Sequence, residues 1–164
     1  MTTIATRLQA VLGRIETAAR AAGRVPQAIR LIAVSKTFAV SAIAEAHAAG
    51  QAAFGENYVQ EALGKVSALA GLGLEWHFIG PIQSNKTRQI AEQFQWVHAV
   101  DRLRIAERLS QARPASLPPL AVCLQVNISA EPSKSGTHPD DPLTLAQNVC
   151  RLPGLRLRGL MALP

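Results

Sequence analysis

Tyrosine occurs once in this 164-residue chain, cysteine twice, and aromatic residues together make up only 4% of it. Cys123 and Cys150 are too few and too unpatterned for a disulfide framework or a zinc site. Neither has a histidine beside it, so thiol nucleophile chemistry has no support. His77, His98 and His138 lack the spacing of a metal site, and no metal is expected. The first residues lack the apolar core of a secretory leader, and no apolar run is long enough to cross a bilayer. These absences make a soluble cytoplasmic protein the expectation, with no membrane partner, and Asn127-Ile128-Ser129 is then an irrelevant glycosylation sequon. Acidic residues are also in short supply, 11 against 17 lysines and arginines, for a net charge of +6. That balance invites a nucleic-acid reading. The arginines are scattered from Arg7 to Arg158 without aromatics between them, which fits helix surfaces better than a nucleic-acid footprint. An anionic small molecule would be drawn to the same charge.

What the chain does have is 48% apolar residues, rich in alanine, leucine and valine, enough for a sizeable core and suited to helices packed on a parallel sheet. Apolar residues Ile4, Leu8, Val11, Leu12 and Ile15 recur at helical spacing, so a helix is expected over 4–22, stopped by Gly23. Strands are then expected over 29–37, 52–55, 74–79, 95–100, 120–128 and 155–162. Helices are expected between them over 40–49, 59–69, 84–93, 101–112 and 142–151. Ser41 and Asp101 are placed as N-caps and Gly50 as a C-cap. Strict strand and helix alternation is the signature of parallel βα units. A doubly wound sheet would carry a glycine-rich turn after its first strand, and Lys36-Thr37-Phe38 stands there instead. The remaining solution is a β/α barrel, which closes with eight strands, whereas about six are present.

The segment Leu31-Ile32-Ala33-Val34-Ser35-Lys36-Thr37 is an apolar run ending in an amine. Alternation puts Ile32, Val34 and Lys36 on one face. Shielded there, the lysine would lose hydration, its pKa would fall, and more of it would be free to attack an aldehyde. The competing reading is a strand-end lysine that reaches into water. Asn57, His77, the region of His98 and Asp101, and Asn127 are expected at or just beyond strand C-termini, where a barrel builds its active face. Singly, His77 reads as a hydrogen-bonded core residue and Asn57 as a helix cap. The run Trp76-His77-Phe78-Ile79-Gly80-Pro81-Ile82-Gln83-Ser84-Asn85-Lys86 joins a strand to a Gly-Pro turn and a polar helix start, which suits either an anion site or a capped turn. Gly64-Lys65-Val66-Ser67 faintly suggests a phosphate loop, but position 59 is not glycine and the stretch falls mid-helix, so it is set aside.

Ala33-Val34-Ser35-Lys36-Thr37, Phe54-Gly55-Glu56-Asn57-Tyr58-Val59-Gln60-Glu61, the 76–86 run, Asn127-Ile128-Ser129 with Lys134-Ser135-Gly136, and Arg158-Gly159-Leu160-Met161 together resemble the pyridoxal phosphate homeostasis proteins, also called the proline synthase co-transcribed family, in its bacterial branch. The resemblance covers essentially the whole chain. It implies an α/β fold of the (β/α)8 TIM-barrel type, similar to the N-terminal domain of alanine racemase. It further implies that Lys36 carries pyridoxal 5′-phosphate as a Schiff base, with Asn57, His77 and Met161 near the cofactor and the role of Lys134 left open. A role in cofactor storage and delivery to apo-enzymes follows, without turnover and without catalytic residues, and the full-length family is expected to be monomeric. Family members continue for two more βα units, which hold the cofactor phosphate. Residues 1–164 are therefore expected to form a single partial barrel with an extra N-terminal helix, apparently truncated after the sixth strand, that holds the cofactor weakly at best. The alternative is a racemase-like or decarboxylase-like enzyme that uses the same cofactor, and a basic RNA-binding module is a third reading.

Overall fold

The computed structural model describes residues 3–129, 132, 135–137 and 142–163. Helix α1 (Ile4–Ala21) starts at Thr3, whose hydroxyl accepts the Thr6 amide at 3.2 Å, and ends before Gly23, which takes a left-handed φ of +66°. Six parallel strands follow in sequential order: β1 (Ala33–Val34), β2 (Ala53–Glu56), β3 (Glu75–Phe78), β4 (Trp96–Val100), β5 (Leu120–Gln125) and β6 (Leu155–Met161). Helices α2 (Val40–Ala48), α3 (Val59–Ala68), α4 (Thr87–Gln93), α5 (Leu103–Ala112) and α6 (Pro142–Cys150) alternate with them. A sheet wound always in one direction, with no reversal of strand order, is barrel winding and not doubly wound topology.

One row of backbone partners crosses the whole sheet through Val34, Gly55, His77, Trp96, Ala121 and Arg156. Gly55 is third in its strand while Trp96 is first in its own, which is the stagger that barrel curvature requires. Residues of the opposite face, among them Phe54, Trp76, Phe78, Val97, Val122 and Leu124, join Ile43, Ala62, Ile90, Ile105, Leu109 and Val149 from the helices in one core. Each large side chain enclosed there contributes about 1.5–3 kcal/mol. The row through His77 therefore lies on the face away from the helices, the inner face of the curved sheet.

Several expectations are corrected. The first strand is only two residues long, and Lys36 stands in the turn after it, half-buried instead of enclosed. Ser41 is not a cap: α2 starts from Ala39 without a side-chain bond. Asp101 is not one either, since α5 starts from Arg102 and the Asp101 carboxylate is paired with the Arg102 guanidinium at 2.8 Å. Asn57 does not cap α3, which starts from Tyr58. The fourth helix opens as a 3-10 turn, Ser84–Lys86. Some arginines do more than coat helices: Arg113 donates to the carbonyls of Ala91, Phe94 and Pro118, Arg108 donates to the Ser84 carbonyl, Arg30 pairs with Glu75, and Arg158 lies over the Trp96 ring at 5.4 Å.

Candidate functional site

The turn that carries Lys36 is tied down on both sides. Before it, Ser35 is buried, its amide bonded to the Gly55 carbonyl and its hydroxyl to Oε1 of Glu56 at 2.5 Å. After it, Thr37 takes φ = +65°, a backbone state that a β-branched residue adopts at a cost of about 1–3 kcal/mol. The Thr37 amide is held there by Oε1 of Glu61 at 2.6 Å. Lys65 joins the two sides: its ammonium donates to the Ser35 carbonyl (2.7 Å), Glu56 (2.8 Å) and Glu61 (2.5 Å). The Lys65 bond, helped by the Thr37 amide, holds the Glu61 carboxyl below its ordinary value against an opposing effect of burial. Lys36 itself makes no hydrogen bond or ion pair among the described residues. Lys65 is not among the residues expected at the site, since in the sequence it stands out only as part of a phosphate-loop-like stretch. The signal was available: Ala62, Lys65 and Leu69 lie on one helical stripe, and Glu61 and Lys65 stand four residues apart.

His77 and His98 lie in mid-strand on the inner face and not at the strand ends expected of them. Nε2 of His77 meets Oε1 of Glu75 at 2.6 Å, and Nδ1 of His77 meets Nε2 of His98 at 2.9 Å. Two nitrogens at that distance share one proton, so with Nε2 of His77 donating to Glu75, His98 is the donor to His77. Trp96 stacks on His77 with centroids 5.4 Å apart and planes 16° apart. Burial pushes His77 down to about 4, with Glu75 pulling the other way and His98 and Arg30 adding to the fall; burial also lowers His98. Both ring nitrogens of His77 are thus engaged within the protein. The histidines form a packed floor to the inner face, and their rings are not free to bond a ligand through His77.

At the C-terminal ends of the strands, Asn57 leaves β2 with its amide oxygen buried and without a hydrogen-bond partner among the described residues. Its backbone touches the next crossover, since a Cβ on Gly80 would lie 2.6 Å from the Asn57 carbonyl oxygen. A cavity of about 440 Å³ between these two loops is lined by Asn57, Tyr58, Gln60, Pro81, Gln83 and Lys86. A second, of about 290 Å³, is lined by Ile79, Pro81, Gln125, Asn127, Ser135 and Met161. Thr137 is bonded to the end of β5, its amide donating to the Gln125 carbonyl and its carbonyl accepting from the Asn127 amide. Gly136 allows that approach: a Cβ there would lie 2.6 Å from the Asn127 nitrogen. Lys134 and His138 lie outside the described residues. The structure thus brings Asn57 and Met161 to the end of the sheet where Lys36 stands and sets His77 deeper.

Residues 7–163 match the family described as alanine racemase, N-terminal domain. The pyridoxal phosphate homeostasis protein of Pseudomonas aeruginosa PAO1 is 65% identical over all 164 residues, which span 71% of its length. Among solved structures, PipY of Synechococcus elongatus with PLP bound is 39% identical with a TM-score of 0.76, covering 92% of this chain and 70% of that one. Alanine racemase of E. faecalis shares the fold at 19% identity and a TM-score of 0.67, over 92% of this chain and 41% of its own.

Proposed function

The chain belongs to the alanine racemase N-terminal domain family and within it to the pyridoxal phosphate homeostasis proteins, and from that membership we propose that it binds pyridoxal 5′-phosphate and serves to store and deliver it. The observation that carries the proposal is a lysine, Lys36, unpaired among the described residues, on a turn anchored at both neighbours, at the same end of the sheet as a buried amide oxygen with no partner among those residues. These residues fit the cofactor: a free primary amine and an orphaned buried acceptor are the two features that a polar aldehyde bearing a hydroxyl would satisfy. When bound, pyridoxal phosphate supplies an aldehyde that condenses with a primary amine, releasing one water, and a ring that absorbs visible light.

In this reading Lys36 provides the amine. Asn57 accepts a hydrogen bond from the ligand, and Met161 supplies apolar contact at the rim of the smaller cavity. His77 supports the site from below through its stack with Trp96, because its nitrogens are committed to Glu75 and His98. Apo-enzymes are the proposed recipients, and the protein itself turns nothing over. The name borne by the curated relatives supports the carrier role, while the likeness to alanine racemase is one of fold. The test is a titration of the protein with pyridoxal phosphate. The expected result is a visible band that disappears in Lys36→Ala and persists in Lys86→Ala; a band that survives Lys36→Ala overturns the assignment.

A further inference from the structure

We propose that Glu61, Lys65 and Glu56 are positioning residues for Lys36, a clamp on the backbone that fixes where its amine stands. The inference rests on reading Lys36 as the amine that takes the aldehyde. Lys36 is flanked by two residues whose backbone groups both reach one ammonium, the Ser35 carbonyl directly and the Thr37 amide through Glu61. The cluster is anchored on regular structure, with Glu56 ending β2 and Glu61 and Lys65 on α3, so the helix sets the height of the turn. Thr37 would leave its left-handed φ if the Glu61 bond were lost, because its branched side chain disfavours that state. The clamp also sorts the two neighbouring amines. All three Lys65 protons are directed at oxygens within 2.8 Å, which removes Lys65 as a competing nucleophile, while Lys36 has no such partner.

The test uses Glu61→Gln, which leaves Lys65 paired with Glu56 and so avoids a stranded buried charge. Without cofactor, amide hydrogen exchange in residues 35–38 is expected to quicken about tenfold as the charge-assisted bond to Thr37 weakens, with the rest of the sheet unchanged. With pyridoxal phosphate and borohydride, the rate at which label is trapped on Lys36 is expected to fall about five- to tenfold, while that on Lys86 stays constant. Adding Thr37→Asn, a residue that accepts positive φ, should bring Lys36 labelling back to within about threefold of the original. Unchanged exchange at 35–38, an equal fall at both lysines, or no rescue by Thr37→Asn overturns the clamp. A parent protein that takes no label on Lys36 refutes the carrier reading instead, and the exchange measurement still decides whether the clamp exists.

Discussion

His77 is 2% exposed, and its charge state follows from that enclosure. Its folded value, about 4, lies below the ordinary imidazole value, so between about pH 6.5 and 4 the unfolded chain binds more protons than the folded one. Its contribution to stability is whole above that window and is lost as pH falls through it, about 2–3 kcal/mol by pH 4. His98 is shifted the same way by burial and steepens the loss. Urea unfolding at a series of pH values should show stability falling with acidification, and His77→Gln should flatten the slope whatever its effect at neutral pH. An unchanged slope would show that the proton uptake lies elsewhere. At this scale the sequence marked Lys36, Asn57 and His77 as residues to watch. It did not show that His77 is sealed between Glu75 and His98, because that contact joins strands 21 residues apart in sequence.

At the scale of elements, the crossovers after β2 and β3 meet where Gly80 passes over Asn57. Any side chain at position 80 would strike backbone 2.6 Å away, and backbone cannot swing aside as a side-chain tip can. At Gly55 the nearest obstacle is Cδ1 of Ile79 at 2.9 Å, the far end of a side chain that can turn. Gly80→Ala should therefore destabilise the protein by about 2–3 kcal/mol and Gly55→Ala by about 1 kcal/mol or less. Denaturant midpoints check the ranking, and equal losses at the two glycines would contradict it. The Gly80-Pro81 turn was readable as either a capped turn or a ligand seat. The structure gives it the work of bringing the loop that carries Asn57 against its neighbour.

In the molecule as a whole, β1 and β6 each pair with a strand on one side only, and Val34 and Leu160 are 49% and 64% exposed. Unpaired strands with apolar side chains are templates for a second chain. The 164-residue chain should therefore self-associate as its concentration rises, and Leu160→Lys should reduce this in sedimentation velocity experiments. A single slow species at all concentrations would rule the edges out as contact surfaces. No helix among the described residues is long and apolar enough to cross a membrane. The sequence by itself determined the order of the six strands and the alternating helices, and nearly the bounds of every strand but the first, because side-chain periodicity and turn residues act over a few positions. It also determined the sequential winding, since parallel units without a glycine-rich first turn point to a barrel. Only the tertiary structure decided that Lys65 is buried against Glu56, that Thr37 takes positive φ, and that Lys36 alone of these two lysines is left without a partner among the described residues. Those outcomes depend on how α3 packs against the end of β1, a relation between distant residues that no local pattern encodes.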